Sequence, residues 1–173
     1  MVGRKDILDW LDFKVAKAAG LEKIAHNGTF NANPLSAAAG IATLEIVGST
    51  DACARANAFG DAVRARMNEV LAEEGVAWAV HGTYSSLHIY TNPEGADIVP
   101  GRFDAAAFIP RMLNKRGVDI SGPVRMGLLV NGVDVNSALS GWISATHGEE
   151  ELAATADALR TTVRALRREG VIE

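Results

Sequence analysis

The chain has a single cysteine, Cys53, in 173 residues. No internal disulfide can form, and a reducing, cytoplasmic setting is expected. An excess of one charge is also lacking: 17 Lys and Arg against 21 Asp and Glu leave a formal net charge of −4. That balance offers no basic footprint for nucleic acid or for an anionic membrane surface. No uninterrupted apolar run is long enough to cross a bilayer. Met1 is followed by Arg4, Lys5, Asp6 and Asp9 with no apolar stretch, so no secretory leader is expected. Internal repeats and low-complexity tracts are absent. The remainder is ordinary for a globular protein, 48% hydrophobic and 22% charged, in a length that suits one domain with a real core.

The apolar spacing then divides the chain. Ile7, Leu8, Leu11, Val15 and Ala18 recur at helical intervals over 5–18, while Trp10 and Phe13 fall off that stripe and suggest a second contact surface. A helix is predicted over 34–47 from its Ala, Leu and Ile content. Gly48-Ser49-Thr50 punctuates it, with Ser49 or Thr50 able to cap the next helix. That helix runs over about 51–74, with Ala54, Ala58, Ala62, Val63, Met67, Val70 and Leu71 as its stripe and Gly75 as its stop. Cys53 lies in it and reads as a buried small residue.

Beyond Gly75 the period changes. Residues 76–81 read as a strand, 82–85 as a turn, and 87–91 as an antiparallel strand. Residues 92–101 read as a loop. A helix is expected over 104–116, interrupted by Pro110. A short strand is expected from Gly117, an apolar run over 124–130, and a last strand at 143–145. Thr146-x-x-Glu149 has the capping-box pattern and opens a final helix over about 148–168. Its arginines, Arg160, Arg164, Arg167 and Arg168, read as a solvated face. Helices followed by an antiparallel sheet with helices on one face make an α+β arrangement.

The segment His26-Asn27-Gly28-Thr29-Phe30-Asn31-Ala32-Asn33-Pro34 carries the most chemical information. Asn33 suits a helix N-cap and Pro34 the first helical position. A Gly-Thr pair ahead of a helix can hold an anion through backbone N–H groups, a hydroxyl and the positive helix end. It can equally be a capped surface turn.

Read residue by residue, His-x-Gly-Thr-Phe-x-x-Asn-Pro-Leu-x-x-Ala-Ala-Gly-x-Ala-x-Leu-Glu resembles a stretch of the class III aminotransferases that use pyridoxal 5′-phosphate. It resembles most the glutamate-1-semialdehyde aminomutase branch. The opening Val2-Gly3-Arg4-Lys5-Asp6-Ile7 and the late Gly141-Trp142-Ile143-Ser144-Ala145-Thr146-His147 resemble that family in the same order. The middle, about 92–139, matches poorly. The resemblance implies that Gly28 and Thr29 contact the cofactor phosphate across a homodimer interface. It implies the C-terminal part of a fold-type I transferase, with a long linking helix and a small sheet. Residues 1–48 would then be a remnant of the large cofactor domain, 49–75 the linking helix and 76–173 the small α+β domain. The expected partners are a second copy of the chain, the N-terminal large domain, and a small amine or keto substrate. No metal, nucleic acid or membrane partner is expected.

One residue the chemistry requires is missing. Such enzymes need a lysine to hold the cofactor covalently and a carboxylate near its ring nitrogen. Lys5, Lys14, Lys17, Lys23 and Lys115 are this chain's lysines, and none follows a buried apolar strand. In the family that lysine falls just upstream of the position of Met1. The expectation is an aminotransferase portion that is inactive alone. The other reading is a non-catalytic α+β binding or dimerisation module derived from that fold.

The remaining polar residues read as structural. His81 and His88 fall on neighbouring strands and can face each other, but no third metal ligand is well placed. His147 reads as a helix-start residue. Residues 127–132 lack the lysine and following helix of a phosphate loop. Arg125 could meet a substrate carboxylate, as an arginine of this domain does in many class III enzymes, although a structural role suits its poorly matching segment better. Leu139 stands where aminomutase relatives carry a glutamate, which favours a broader aminotransferase of that branch.

Overall fold

The computed structural model describes residues 3–20, 24, 28, 29, 33–107 and 119–173. The chain forms two compact units, Met1–Ile46 and Val47–Glu173.

In the first unit the stretch expected as one helix is broken. Helix α1 spans Lys5–Leu8, a 3₁₀ turn spans Asp9–Leu11, and α2 spans Phe13–Ala18. Asp12 is the cause: its backbone turns extended and its carboxylate accepts the Lys14 N–H at 2.7 Å, starting a new helix. Helix α3, Pro34–Ser49, begins as expected. Asn33 Oδ1 accepts from the N–H groups of Leu35 at 2.9 Å and Ser36 at 3.2 Å. No residue of α3 is buried, and Leu35, Ile41, Leu44 and Ile46 are all exposed.

The second unit holds the larger core. Helix α4, Ala52–Glu73, buries Val63, Met67, Val70 and Leu71, while Ala54, Ala58 and Ala62 face outward. Cys53 is exposed, contrary to its expected burial, because only the C-terminal part of α4 meets the core. The Thr50 hydroxyl accepts from Ala52 N–H at 3.3 Å. At the far end Gly75, with φ of 66°, stops the helix, and the Val76 N–H reaches back to the Leu71 carbonyl at 2.9 Å.

The sheet has three antiparallel strands in the order β1 (Ala79–His81), β2 (Ser86–Tyr90) and β3 (Ser140–Trp142). Val80, Leu87 and Ile89 join the helices in the main core, and Ala79, Tyr90 and Ile98 form a second cluster with Phe103 packed on it. The last strand therefore precedes its expected position at 143–145. Leu139, at φ 55°, and the Asn136 side chain, accepting from Ala138 and Ser140, set that register. The ladder ends with Ile143 N–H donating to the Ser85 carbonyl.

Residues 124–130, expected as an apolar run, lie in helix α5, Ser121–Val130. Asp119 Oδ1 accepts from Ser121 N–H at 2.9 Å, and Pro123 sits in the first turn, where a missing N–H costs nothing. Val124 and Leu128, four apart, are both fully buried. Of the strand expected from Gly117, residues 119 and 120 are not strand, and 117 and 118 lie outside the described residues. So does most of the helix expected over 104–116, including Pro110; residues 105–107 are helical.

Helix α6, Glu149–Arg168, closes the core with Ala156, Leu159, Val163 and Leu166. Its cap is Gly148, whose N–H donates to Glu151 Oε2 at 2.7 Å, so the expected Thr146 pattern is two residues early. Of the four arginines expected on a solvated face, Arg168 is exposed beside Glu169, while the other three clamp α6 to the end of α4. Arg160 pairs with Glu73 at 2.6 Å, and Arg164 with Glu74 at 2.8 Å. Arg167 donates to the Glu74 carbonyl at 2.9 Å. Gly127 of α5 has no room for a side chain: a Cβ would lie 2.5 Å from Thr162 Cγ2. That close approach packs α5 on α6.

Candidate functional site

In the first unit Gly28 and Thr29 are exposed, and Thr29 lies in a turn. His26, Asn27, Phe30, Asn31 and Ala32 lie outside the described residues. The α3 cap uses the Leu35 and Ser36 N–H groups internally. An exposed hydroxyl and a small residue without a Cβ suit a phosphate oxygen arriving from outside the unit.

The described lysines do not suit a covalent cofactor. Lys5, Lys14 and Lys17 are all exposed; Lys5 pairs with Asp9 at 2.6 Å and Lys17 lies over the Phe13 ring. Lys23 and Lys115 lie outside the described residues. Arg125 is committed locally, its Nε donating to the Val135 carbonyl at 2.7 Å and its Nη2 lying 3.5 Å from Asp134. Leu139 is buried in the main core, so its position offers no carboxylate and no polar surface. His147 lies 6.4 Å from the Phe59 ring, and its Nδ1 accepts from Ser144 N–H.

The second unit carries a cleft of about 470 Å³ at the His81 end of the sheet. Its lining includes Arg64, Asn68, His81, Ser86, His88 and Phe103. His81 pairs directly with His88, and His88 with Ser140, so the three side chains form a row across the strands. The two imidazoles stack at 5.3 Å with 17° between planes, as their strand positions led us to expect. His88 Nδ1 lies 2.6 Å from Ser140 Oγ, and Phe103 covers His81 at 5.3 Å. Among the described residues no group of three His, Cys, Asp or Glu could hold a metal.

Sequence reading missed Arg64 and Asn68. Arg64 is buried and donates to the carbonyls of Tyr84 at 2.8 Å and Ser86 at 2.5 Å, with Asp61 pairing its other end. Gly60, one turn earlier, lets that turn approach: a Cβ there would lie 2.5 Å from the Tyr84 carbonyl. Asn68 spans the open edge of β1, accepting from Val80 N–H and donating to the Val80 carbonyl. The signal was a pair of polar residues four apart on the apolar stripe of α4.

Burial holds the His81 imidazole below its usual value of 6.5, and the neighbouring His88 charge lowers it further. The unfolded chain then takes up that proton at higher pH than the folded one. This contribution is fully present above about pH 6.5 and is lost as pH falls through the folded value. Urea midpoints measured between pH 8 and 5 should decline with acid, and His81→Phe should flatten that decline.

No family model matches the chain. The glutamate-1-semialdehyde 2,1-aminomutase of Methanosarcina acetivorans is 31% identical over 158 residues, 90% of this chain and 33% of that protein. The β-phenylalanine transaminase of Variovorax paradoxus is 34% identical over 88 residues, 51% of this chain and 19% of that protein. An omega-transaminase from Sphaerobacter thermophilus superposes with a TM-score of 0.66 at 27% identity, covering 95% of this chain and 34% of that one. A transaminase with PLP bound superposes at 0.63 with 29% identity, covering 99% of this chain and 35% of that one. The chain thus spans about a third of the length of the first two structures and of the aminomutase.

The fold is that of the matching third of a PLP-dependent transaminase, an α+β arrangement with a small antiparallel sheet. Within that class the chain is class III aminotransferase-like, and its sequence is similar to the glutamate-1-semialdehyde aminomutases.

Proposed function

We propose that this chain is the C-terminal portion of a pyridoxal-phosphate-dependent class III aminotransferase or aminomutase. The complete enzyme moves an amino group between an amine and a carbonyl compound, with a substrate of the glutamate-1-semialdehyde kind. The observation that carries the reading is the Gly28-Thr29 turn, exposed ahead of a helix capped by Asn33, in a chain similar over most of its length to such enzymes. In this reading residues 1–48 belong to the large domain, 49–75 link, and 76–173 form the small domain.

Pyridoxal phosphate supplies the electron sink on which amino-group transfer depends. The part played by this chain is binding. Thr29 donates its hydroxyl and Gly28 its backbone N–H to the phosphate in the partner subunit. The lysine and ring-nitrogen carboxylate come from the large domain, so this chain alone is inactive. The exposed apolar residues of α3, together with Trp10 and Phe13, support burial against that domain and a second copy. The lone cysteine supports a cytoplasmic setting.

In the assembled enzyme, Thr29→Ala should weaken cofactor affinity about tenfold, the loss of one charge-assisted hydrogen bond. Fluorescence titration checks this, and unchanged affinity overturns the assignment. The second reading, a non-catalytic module, draws on the exposed lysines. An absorbance scan of this chain with added pyridoxal phosphate should show no lysine-bound cofactor band.

A further inference from the structure

We propose that the cleft at the His81 end of the sheet is a binding site for a small oxyanion, a carboxylate or phosphate group, held by the paired imidazoles of His81 and His88. The lining is one-sided in charge. Arg64, His81 and His88 face the cleft, and no Asp or Glu does among its described lining residues. Neighbouring acids are already engaged: Asp61 pairs with Arg64, and Asp104 Oδ1 accepts from Ala106 N–H at 3.0 Å. On β3 the facing group is the neutral Ser140, hydrogen-bonded to His88. Arg102, beside Phe103, is exposed.

The donors are available. His81 makes no hydrogen bond to any described residue, and His88 uses only Nδ1. With Nδ1 of His88 accounted for, the remaining ring nitrogens of the stacked pair make no hydrogen bond to a described residue and line the cleft. Two stacked imidazoles resist joint protonation, because each charge repels the other in a partly buried site. A bound oxyanion removes that repulsion and turns both rings into donors. Phe103 supplies an apolar wall against which the rest of a small molecule could lie.

A divalent metal fits this lining less well. It would find two imidazoles, no third ligand among the described residues, and a guanidinium in the same cleft. The proposal stands apart from the Gly28-Thr29 assignment, and failure of either leaves the other intact.

Histidine-ring NMR of the intact chain, titrated with sodium phosphate and separately with sodium acetate, tests it. Saturable shifts confined to His81 and His88 are expected, with affinity about tenfold tighter near pH 6 than near pH 8. By linkage, the bound anion should raise the His81 titration midpoint in the unaltered protein. Saturation by phosphate alone assigns a phosphate group, and by acetate alone a carboxylate. His81→Phe keeps a ring against Phe103 and should weaken binding about tenfold. Shifts that grow linearly across all resonances, equal affinity at both pH values, or an unaffected His81→Phe variant each overturn the proposal.

Discussion

Leu159→Ala is expected to destabilise the second unit by about 2–5 kcal/mol, the range for deleting a fully buried leucine side chain. Leu159 is completely buried at the middle of the α6 stripe, in one core with Met67, Leu71, Val124 and Leu128. The cost has two sources: lost transfer energy of the removed carbons, and the cavity left behind. Three helices converge on this core, so the walls cannot readily close in. Gly127 already holds α5 against Thr162 on α6 without a side chain between them, which leaves little freedom to shift. Urea unfolding followed by circular dichroism should show a lower midpoint with an unchanged slope. A loss under about 1 kcal/mol would mean that the core collapses around the gap.

Asn68→Leu should cost about 2–5 kcal/mol for a different reason. Leucine has the same number of side-chain heavy atoms and a similar branched outline, so the main change is the removal of polar satisfaction. Asn68 Nδ2 donates to the Arg64 carbonyl at 2.8 Å and the Val80 carbonyl at 2.7 Å, and Oδ1 accepts from Val80 N–H at 2.9 Å. Both groups of Val80 lie on the open edge of β1, at a residue only 4% exposed. Without Asn68 they are buried and unpaired, which is more costly than losing the bonds alone. The side chain also acts as a one-residue strand that blocks edge pairing. Amide exchange at Val80 should therefore accelerate well beyond what the global loss explains. If stability falls but Val80 exchange follows only the global value, the edge-sealing role is wrong.

Much of the local structure was written in adjacent residues. Asn33-Pro34 starts α3 and Gly75 ends α4, since a cap or a left-handed stop involves atoms only a few bonds away. The strand pair and the facing histidines followed from strict alternation. Other readings failed for a local or a tertiary reason. The stretch 5–18 has a helical apolar period, yet Asp12 restarts the helix by accepting the Lys14 N–H. Residues 124–130 read only as an apolar run, and burial of Val124 and Leu128 against the core goes with a helix. Short apolar runs carry both periods, and packing selects one. Cys53 was read by residue type, and its exposure depends on where α4 meets the core.

The candidate sites divide in the same way. Gly28 and Thr29 were legible as chemistry, since a hydroxyl beside a glycine ahead of a capped helix is a local pattern. The cleft was not, because its groups come from α4, both ends of a hairpin and the segment that carries Phe103. Arg64 was passed over in the sequence, because its contact depends on Gly60 letting the Tyr84 turn come within reach.

By itself, then, the sequence determined the Asn33 cap, the Gly75 stop, the pairing of β1 with β2, and the near balance of charge. Those follow from interactions between neighbours or from composition. Tertiary structure alone decided that α5 is a helix, that β3 pairs at Ser140–Trp142, that Arg160 and Arg164 clamp Glu73 and Glu74, and that Arg64 and two imidazoles line a cleft with no acid among its described lining residues. Each joins groups far apart in the chain, and such pairings are fixed only when burial of the core brings them together.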